Sequence, residues 1–258
     1  MRSIWSGSLS FGLVNIPVKL YSGSQESNIN LNLLDKEDLS PIRYARVNKA
    51  TGREVAYSQI VKGYEYGGEG NYVVLTDDDF EKANREKTKT IDIVGFTKVH
   101  EIDPIYYEKP YYLEPAAGAE RPYALLRDAL KQSGKVGIAR FVLRNKEHIA
   151  VVRPHDNALE LDQLRFYEEV RDPSGLNLPE EKEGGKEEVE MALLLISRLT
   201  KKFNAKEYAD TYRKDLMEVI QEKVEGKQVV AKGAEPKPTM SKDLMTLLKA
   251  SLEKEDKG

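Results

Sequence analysis

The chain has 258 residues, 40% of them hydrophobic and 32% charged, enough for one sizeable core with a smaller appendage. It contains no cysteine, which excludes disulfides, thiolate metal sites and cysteine nucleophiles, and no apolar run approaches the roughly 20 residues of a membrane-spanning helix. The formal charge of −3 hides segregation: Arg121 to Arg153 holds eight Lys/Arg against two acids, Asp156 to Glu190 holds 12 acids against four Lys/Arg, and Met1 to Lys62 is mildly basic. Basic and acidic surfaces are therefore expected in different places. The N-terminus lacks the long apolar core of a signal peptide, and the expectation is a cytoplasmic protein.

In chain order, Val14, Ile16, Val18 and Leu20 alternate with Asn15, Pro17, Lys19 and Tyr21, the period of a strand with one buried face and Lys19 pointing away from it. Pro17 cannot donate to a ladder, so the strand is expected to have a free side there or to lie at an edge. Ile29, Leu31 and Leu33 repeat the alternation, Tyr72 to Leu75 form a short β-branched run, and Ile91 to Val99 read as a strand with Gly95 as a bulge. Pro122 suits the first turn of a helix carrying Tyr123, Leu126 and Leu130 on one face, with Gly134 just past its end. Ile138 to Leu143 and Ile149 to Val152 read as two strands joined by Arg144-Asn145-Lys146-Glu147-His148, a basic hairpin. Arg140 shares a face with Ile138 and Val142, so it either lines a wet channel or reaches past its neighbours to solvent.

Beyond Phe166, Pro, Gly and charge replace alternation. Val189, Ala192, Leu193, Ile196 and Leu199 then take helical spacing, as do Tyr208, Tyr212, Leu216 and Val219 behind a cap-like Asn204 and Glu207. A final amphipathic stretch, Leu244, Leu247, Leu248 and Leu252, is marginal as an isolated helix and is expected to fold only against something. Many short strands joined by turns suggest a barrel or a sandwich, so the fold class expected is mainly β with α additions: a β core over residues 1–178, a linker at 179–186, a helical module at 187–226 and a tail with a short helix at 227–258.

Lys19, Arg43, Arg46, Lys49, Arg53, Lys135, Arg140, Arg144, Lys146 and Arg153 form a set able to track a phosphate backbone, where contacts position a protein without reading sequence. Any single member is equally an ordinary surface cation. Asp77, Asp78 and Asp79 suggest a magnesium nuclease less well than a helix start, with Thr76 and Asp79 spaced as a cap. His100, His148 and His155 have no ligand spacing, and no P-loop, dinucleotide fingerprint or serine elbow is present, so the expectation is a non-enzyme without metal or cofactor. Tyr106, Tyr107, Tyr111 and Tyr112 suit a subunit interface better than base stacking.

Several ordered segments resemble the bacterial Ku family: MRSIWSGSLSFGLVNIPVKLYS at the start, then RYARV from Arg43, GYEY from Gly63, VVLTDDDF from Val73, EIDPIYYEKPYYLEP from Glu101, PYALLRDAL from Pro122, IARFVLRNKEHIAVVRP from Ile138 and DLMTLLKASLE from Asp243. The resemblance implies that the core over residues 1–178 is a β-barrel with long bridging arms, a homodimer whose arms enclose double-stranded DNA ends, nucleoid-associated, recruiting a multidomain ATP-dependent DNA ligase for non-homologous end joining. It also implies that the helical module docks the ligase, with Leu193, Ile196, Lys201, Lys202, Tyr208 and Tyr212 as candidate contacts. Two departures stand out: Asn48-Lys49-Ala50-Thr51-Gly52 replaces a cysteine pair seen in some relatives, and Gly226 to Gly258 has only seven lysines against five acids. A different reading stays open, a protein-interaction scaffold whose basic hairpin meets an acidic partner.

Overall fold

The alternation around Ile16 has a simple physical origin: Ile16, Val18 and Leu20 are buried while Asn15, Pro17 and Lys19 face solvent, as a strand with one core face requires. In the computed structural model, which describes residues 1–83, 89–179, 185–227 and 244–255, this strand is the second of a closed barrel. The barrel strands are β1 (Trp5–Phe11), β2 (Val14–Ser22), β5 (Thr90–Thr97), β6 (Tyr107–Pro115), β7 (Val136–Leu143), β8 (Lys146–His155) and β9 (Ala158–Leu164). Their order is β1-β2-β6-β9-β8-β7-β5, and β5 returns to β1 in the one parallel pairing among them. The β2–β6 ladder begins only at Val18 opposite Pro115, so Pro17, with no amide hydrogen to give, sits just outside it.

Residues 23–83 leave the barrel as an arm. It holds a two-stranded ribbon, β3 (Lys62–Glu65) with β4 (Tyr72–Leu75), and the short helix α1 (Asp77–Ala83). Thr76 and Asp79 cap that helix reciprocally: the Thr76 amide and hydroxyl both donate to Asp79, and these bonds lower the Asp79 pKa. The strand expected at Ile29, Leu31 and Leu33 does not form; only an isolated bridge joins Leu34 to Pro41, and Leu31 and Leu33 are exposed. Alternation marks a face to be buried, but no strand among the described residues lies there to pair with it.

The barrel interior is filled by Leu9, Ile16, Val18, Leu20, Ile91, Leu113, Phe141, Val152, Leu159 and Leu161, to which α2 (Glu120–Ser133) adds Tyr123, Leu126 and Leu130. Pro122 lies in the first turn of α2 and Gly134 ends it in the left-handed conformation, φ 63°. The β5–β7 register shifts between Ile93 and Gly95, the bulge expected there. A smaller apolar cluster, Val136, Val151 and Leu164, is roofed by Ile102, Tyr106 and Tyr107, which explains why Val151 and Val152 are both buried although they point to opposite faces.

The chain divides into two compact units, Met1–Asp172 and Pro173–Gly258. The second contains α3 (Lys186–Leu199), α4 (Thr211–Val224) and α5 (Leu244–Glu255), with α5 packed on α3 and Leu252 buried between them. The expected linker at 179–186 lies mostly outside the described residues, as does 228–243 of the tail. Asn204 caps a 3-10 turn at Ala205–Glu207, whereas α4 starts later under an Asp210 cap, so Tyr208 stands before the helix rather than on it. Asp210, six residues downstream of Asn204 and not singled out from sequence, opens the helix, its carboxylate accepting from the Arg213 amide.

The Tyr123 hydroxyl ties α2 to two strands, donating to the Leu113 carbonyl at 2.6 Å and accepting from the Leu159 amide at 2.6 Å. Tyr123→Phe strands both buried backbone groups and is expected to lower unfolding free energy by about 1–3 kcal/mol. Urea denaturation measures it; an unchanged midpoint would mean that the hydroxyl contributes nothing.

Candidate nucleic-acid interface

The strongly basic stretch Arg121 to Arg153 folds as α2 followed by the β7–β8 hairpin. Its turn is tighter than expected: only Arg144 and Asn145 connect the strands, both left-handed with φ 52° and 63°, the geometry whose twist matches a hairpin. The Arg144 side chain is thereby held at the tip, and Lys146 already belongs to β8. Arg140 is on the outer face of β7, exposed, opposite Asp92 and Ile149, in a cleft of about 590 Å³ that Ser10, Thr90 and Glu147 also line.

Lys146 is held. Its Nζ lies 2.8 Å from Glu169 Oε1, while Glu169 Oε2 accepts from the Phe166 amide, so one carboxylate fastens the hairpin to the turn at Tyr167–Glu169. Arg153 is more firmly committed. Its Nε donates to Asp162 Oδ2 at 2.6 Å, and its second nitrogen lies 3.0 Å from Glu160 Oε2 without making a hydrogen bond to it. Burial and the neighbouring Asp162 push the Glu160 carboxyl up, against the pull of Arg153 and His155. Arg153 therefore holds two crowded acids apart on the barrel wall.

The remaining cations fall into two places. Arg43, Arg46, Lys49 and Arg53 gather on one hairpin-like turn of the arm, where Asn48 Oδ1 accepts from the amides of Ala50 and Thr51 and Gly52 takes φ 68°. Arg43 pairs with Glu54 at 3.1 Å and Arg46 lies 5.0 Å over the Tyr57 ring, while Lys49 and Arg53 are exposed. On the barrel, Lys19 is exposed opposite Ser6 and Glu114, and Lys135 is exposed after α2. Arg153 stands seven residues along β8 from Lys146, roughly 23 Å at strand rise, so the barrel cations form two clusters rather than one.

The four tyrosines do not share one environment. Tyr111 is buried, its hydroxyl donating to Gln163 at 3.2 Å, and burial raises its pKa. Tyr106 and Tyr107 pack on the outer apolar cluster, and Tyr112 lies against His155 with ring centres 5.9 Å apart; these three are half-buried. Arg165 was not legible as a candidate from sequence: its guanidinium donates to the carbonyls of Ile105 and Tyr107 and so fixes this segment, from a site about 60 positions away that no local pattern marks.

In the second unit, Leu193 and Ile196 lie exposed on α3, Lys201, Lys202 and Tyr208 on the connection to α4, and Tyr212 in the first turn of α4. Phe203, not singled out from sequence, stacks on Tyr208 with ring centres 5.5 Å apart; its place between Lys202 and Tyr208 in a basic, aromatic run was the available signal.

The model of the Ku70/Ku80 β-barrel domain matches residues 10–191. The chain belongs to the Ku family. It is 43% identical to a protein of Opitutus terrae named non-homologous end joining protein Ku, over all of this chain and 94% of that one. Proteins of the same name from Bacillus subtilis and Archaeoglobus fulgidus are 38% and 41% identical, over 98% of this chain and 82% and 99% of theirs. The barrel is the feature the Ku match rests on, since the matched residues include all seven of its strands except the first part of β1. Among the described residues of this Ku chain, no group of three or more His, Asp or Glu is arranged to hold a metal ion, and no helix is long and apolar enough to cross a membrane.

The bonds from Lys146 and from the Phe166 amide hold the Glu169 carboxyl below the usual carboxylate range. A depressed folded pKa contributes stability that is present above the unfolded value and lost as pH falls through the folded one. The hairpin tip is thus expected to be protected at neutral pH and to loosen in acid, with Lys146→Ala removing most of the difference. Amide exchange at Arg144 to His148 between about pH 3 and 7, spanning the carboxylate range, checks it; equal pH dependence in the variant would assign the effect elsewhere.

Proposed function

We propose that the chain is a homodimeric, sequence-independent binder of double-stranded DNA ends that acts in non-homologous end joining and recruits an ATP-dependent DNA ligase through its C-terminal unit. The observation carrying this reading is the arm. Residues 31–74 leave Leu31, Leu39, Tyr44, Val61, Tyr64, Tyr72 and Val74 exposed, far more apolar surface than a monomer ordinarily presents to water. The barrel is closed and has no edge to extend over them, so another chain is the natural cover. A second copy would satisfy the need symmetrically, each arm meeting the same surface on its partner. Two arms joined in this way would enclose a space between protomers, and the exposed Lys49, Arg53 and Arg144 supply cations able to face phosphates there.

End preference then comes from topology: a ring can load only where a duplex has a terminus. The relatives named for end joining support this role, and a non-catalytic clamp fits an arm in which Asp79 is committed to a helix cap. The partner candidates Leu193, Ile196, Lys201, Lys202, Tyr208 and Tyr212 belong in this reading to the ligase contact.

The protein is expected to shift linear duplex of any sequence and to leave covalently closed circles free, with log affinity falling against log salt by about 0.9 per phosphate neutralised. Equal retention of circles and linear DNA in a gel-shift competition would sink the enclosing ring. Arg140→Glu and Arg144→Glu should weaken retention several-fold at unchanged dimer mass by light scattering, since exposed charges steer binding without supporting the fold. Arg153→Glu is instead expected to lower the urea midpoint, because it leaves Glu160 and Asp162 facing a third acid.

A further inference from the structure

The second unit makes almost no core: among its described residues, Leu252 is the one buried hydrophobic side chain. Its aromatic side chains are instead arranged at the surface between α3 and α4. Phe203 and Tyr208 stack with rings 18° from parallel, and both are more than half exposed. The loop that holds them is built. Asn204 Oδ1 accepts from the Lys206 amide, its Nδ2 donates to Glu207 at 2.9 Å, and Lys201 Nζ pairs with Glu207 at 3.2 Å while lying 6.0 Å from the Tyr208 ring centre. Tyr212 follows, exposed, in the first turn of α4.

The charge around this pair is one-sided. From Arg198 to Lys214 the chain has six Lys/Arg and two acids, and both acids are occupied, Glu207 by Lys201 and Asn204, Asp210 by the amide it caps. Lys202, Lys206, Arg213 and Lys214 are exposed. A preformed aromatic pair with exposed cations at neighbouring positions of the chain has the make-up of a docking site, with apolar anchors and charge close to them in sequence.

We infer that the Phe203–Tyr208 ledge, with Lys202, Lys206 and Arg213 around it, takes an acidic protein segment carrying an apolar anchor residue. This rests on the ligase reading above and names the chemistry of the segment the ligase must present. A protein occupant is favoured over a single-stranded nucleic acid because Tyr208 already carries Phe203 and the Lys201 ammonium against its ring, which leaves little ring face for a stacked base. Ring edges and the outer face of Phe203 suit a packed aliphatic or aromatic side chain, and carboxylates suit the surrounding cations. Ordering of the loop before binding reduces what association must fix.

The experiment uses the full chain and the purified ATP-dependent ligase of the same organism, followed by fluorescence anisotropy. Wild type is expected to bind; Lys202→Glu combined with Arg213→Glu should weaken binding about tenfold or more while retention of linear duplex is kept, and Phe203→Ala should weaken it similarly. A Glu-rich peptide with one central Phe is expected to compete, and an oligothymidine of about 20 nucleotides, longer than one stacking site spans, is not. Unchanged ligase binding by the charge-reversed protein overturns the ledge and leaves the ligase reading standing; absence of ligase binding by wild type overturns that reading itself. Competition by the oligothymidine alone overturns the ledge as a protein site and assigns it to single strands.

Discussion

Closure of the barrel, completed where β5 pairs with β1, is the constraint on which the rest of the protein depends. β2 ends beside the start of β1 and β5 begins at that same end, so the sheet itself asks only for a short crossing of one strand between β2 and β5, and the chain instead makes a long excursion there. Residues 23–83 lie outside the barrel. They cannot join the barrel, because closure has used every strand edge, and they contain too little regular structure to bury their own leucines, valines and tyrosines. The closed core thus leaves the arm's apolar residues uncovered, and those residues are the basis of the proposal that a second copy covers them.

Charge is organised on the same frame. On the barrel, strand pairing sets Arg153 directly opposite Glu160 and near Asp162, so this arginine supports the wall. The β7–β8 turn does the reverse for Arg144, whose left-handed backbone leaves the side chain at the tip in solvent. Lys146 falls between the two cases, bound to Glu169 by an exposed pair of the kind that contributes little to stability and that a phosphate could replace. Residues of one chemical type thus divide into structural and available members by register alone. An excess of basic residues in a segment says how much charge exists, and only pairing says how much of it is uncommitted.

The two units also differ in how they use apolar residues. The barrel turns them inward to a shared interior with α2, whereas the helical unit turns Leu193, Ile196, Phe203, Tyr208 and Tyr212 outward and buries little beyond Leu252. A folded loop holding exposed aromatics is poorly explained by intrachain stability, since the hydrophobic effect favours their burial. The proposed contact with another protein would account for the exposure, while Asn204 and Asp210 satisfy amides of their own segment.

Local pattern determined much of this protein. Period-two burial around Ile16, the α2 face of Tyr123, Leu126 and Leu130, the Gly134 stop, the Thr76–Asp79 cap and the Gly95 bulge all follow from neighbours within a few positions, where side-chain direction and backbone preference act directly. The family resemblance was legible for the same reason, as it resides in contiguous runs. Tertiary structure decided what depends on distant partners: that Ile29, Leu31 and Leu33 find no strand to pair with, that Tyr111 enters the core beside Gln163, that Arg165 secures the Ile105 to Tyr107 segment, and that Arg153 is committed to two acids while Arg144 is not. Alternation declares that a face will be buried, and a cation declares that a charge will be met. Which surface buries the one and which group meets the other is settled only when the barrel closes and brings residues tens of positions apart into register.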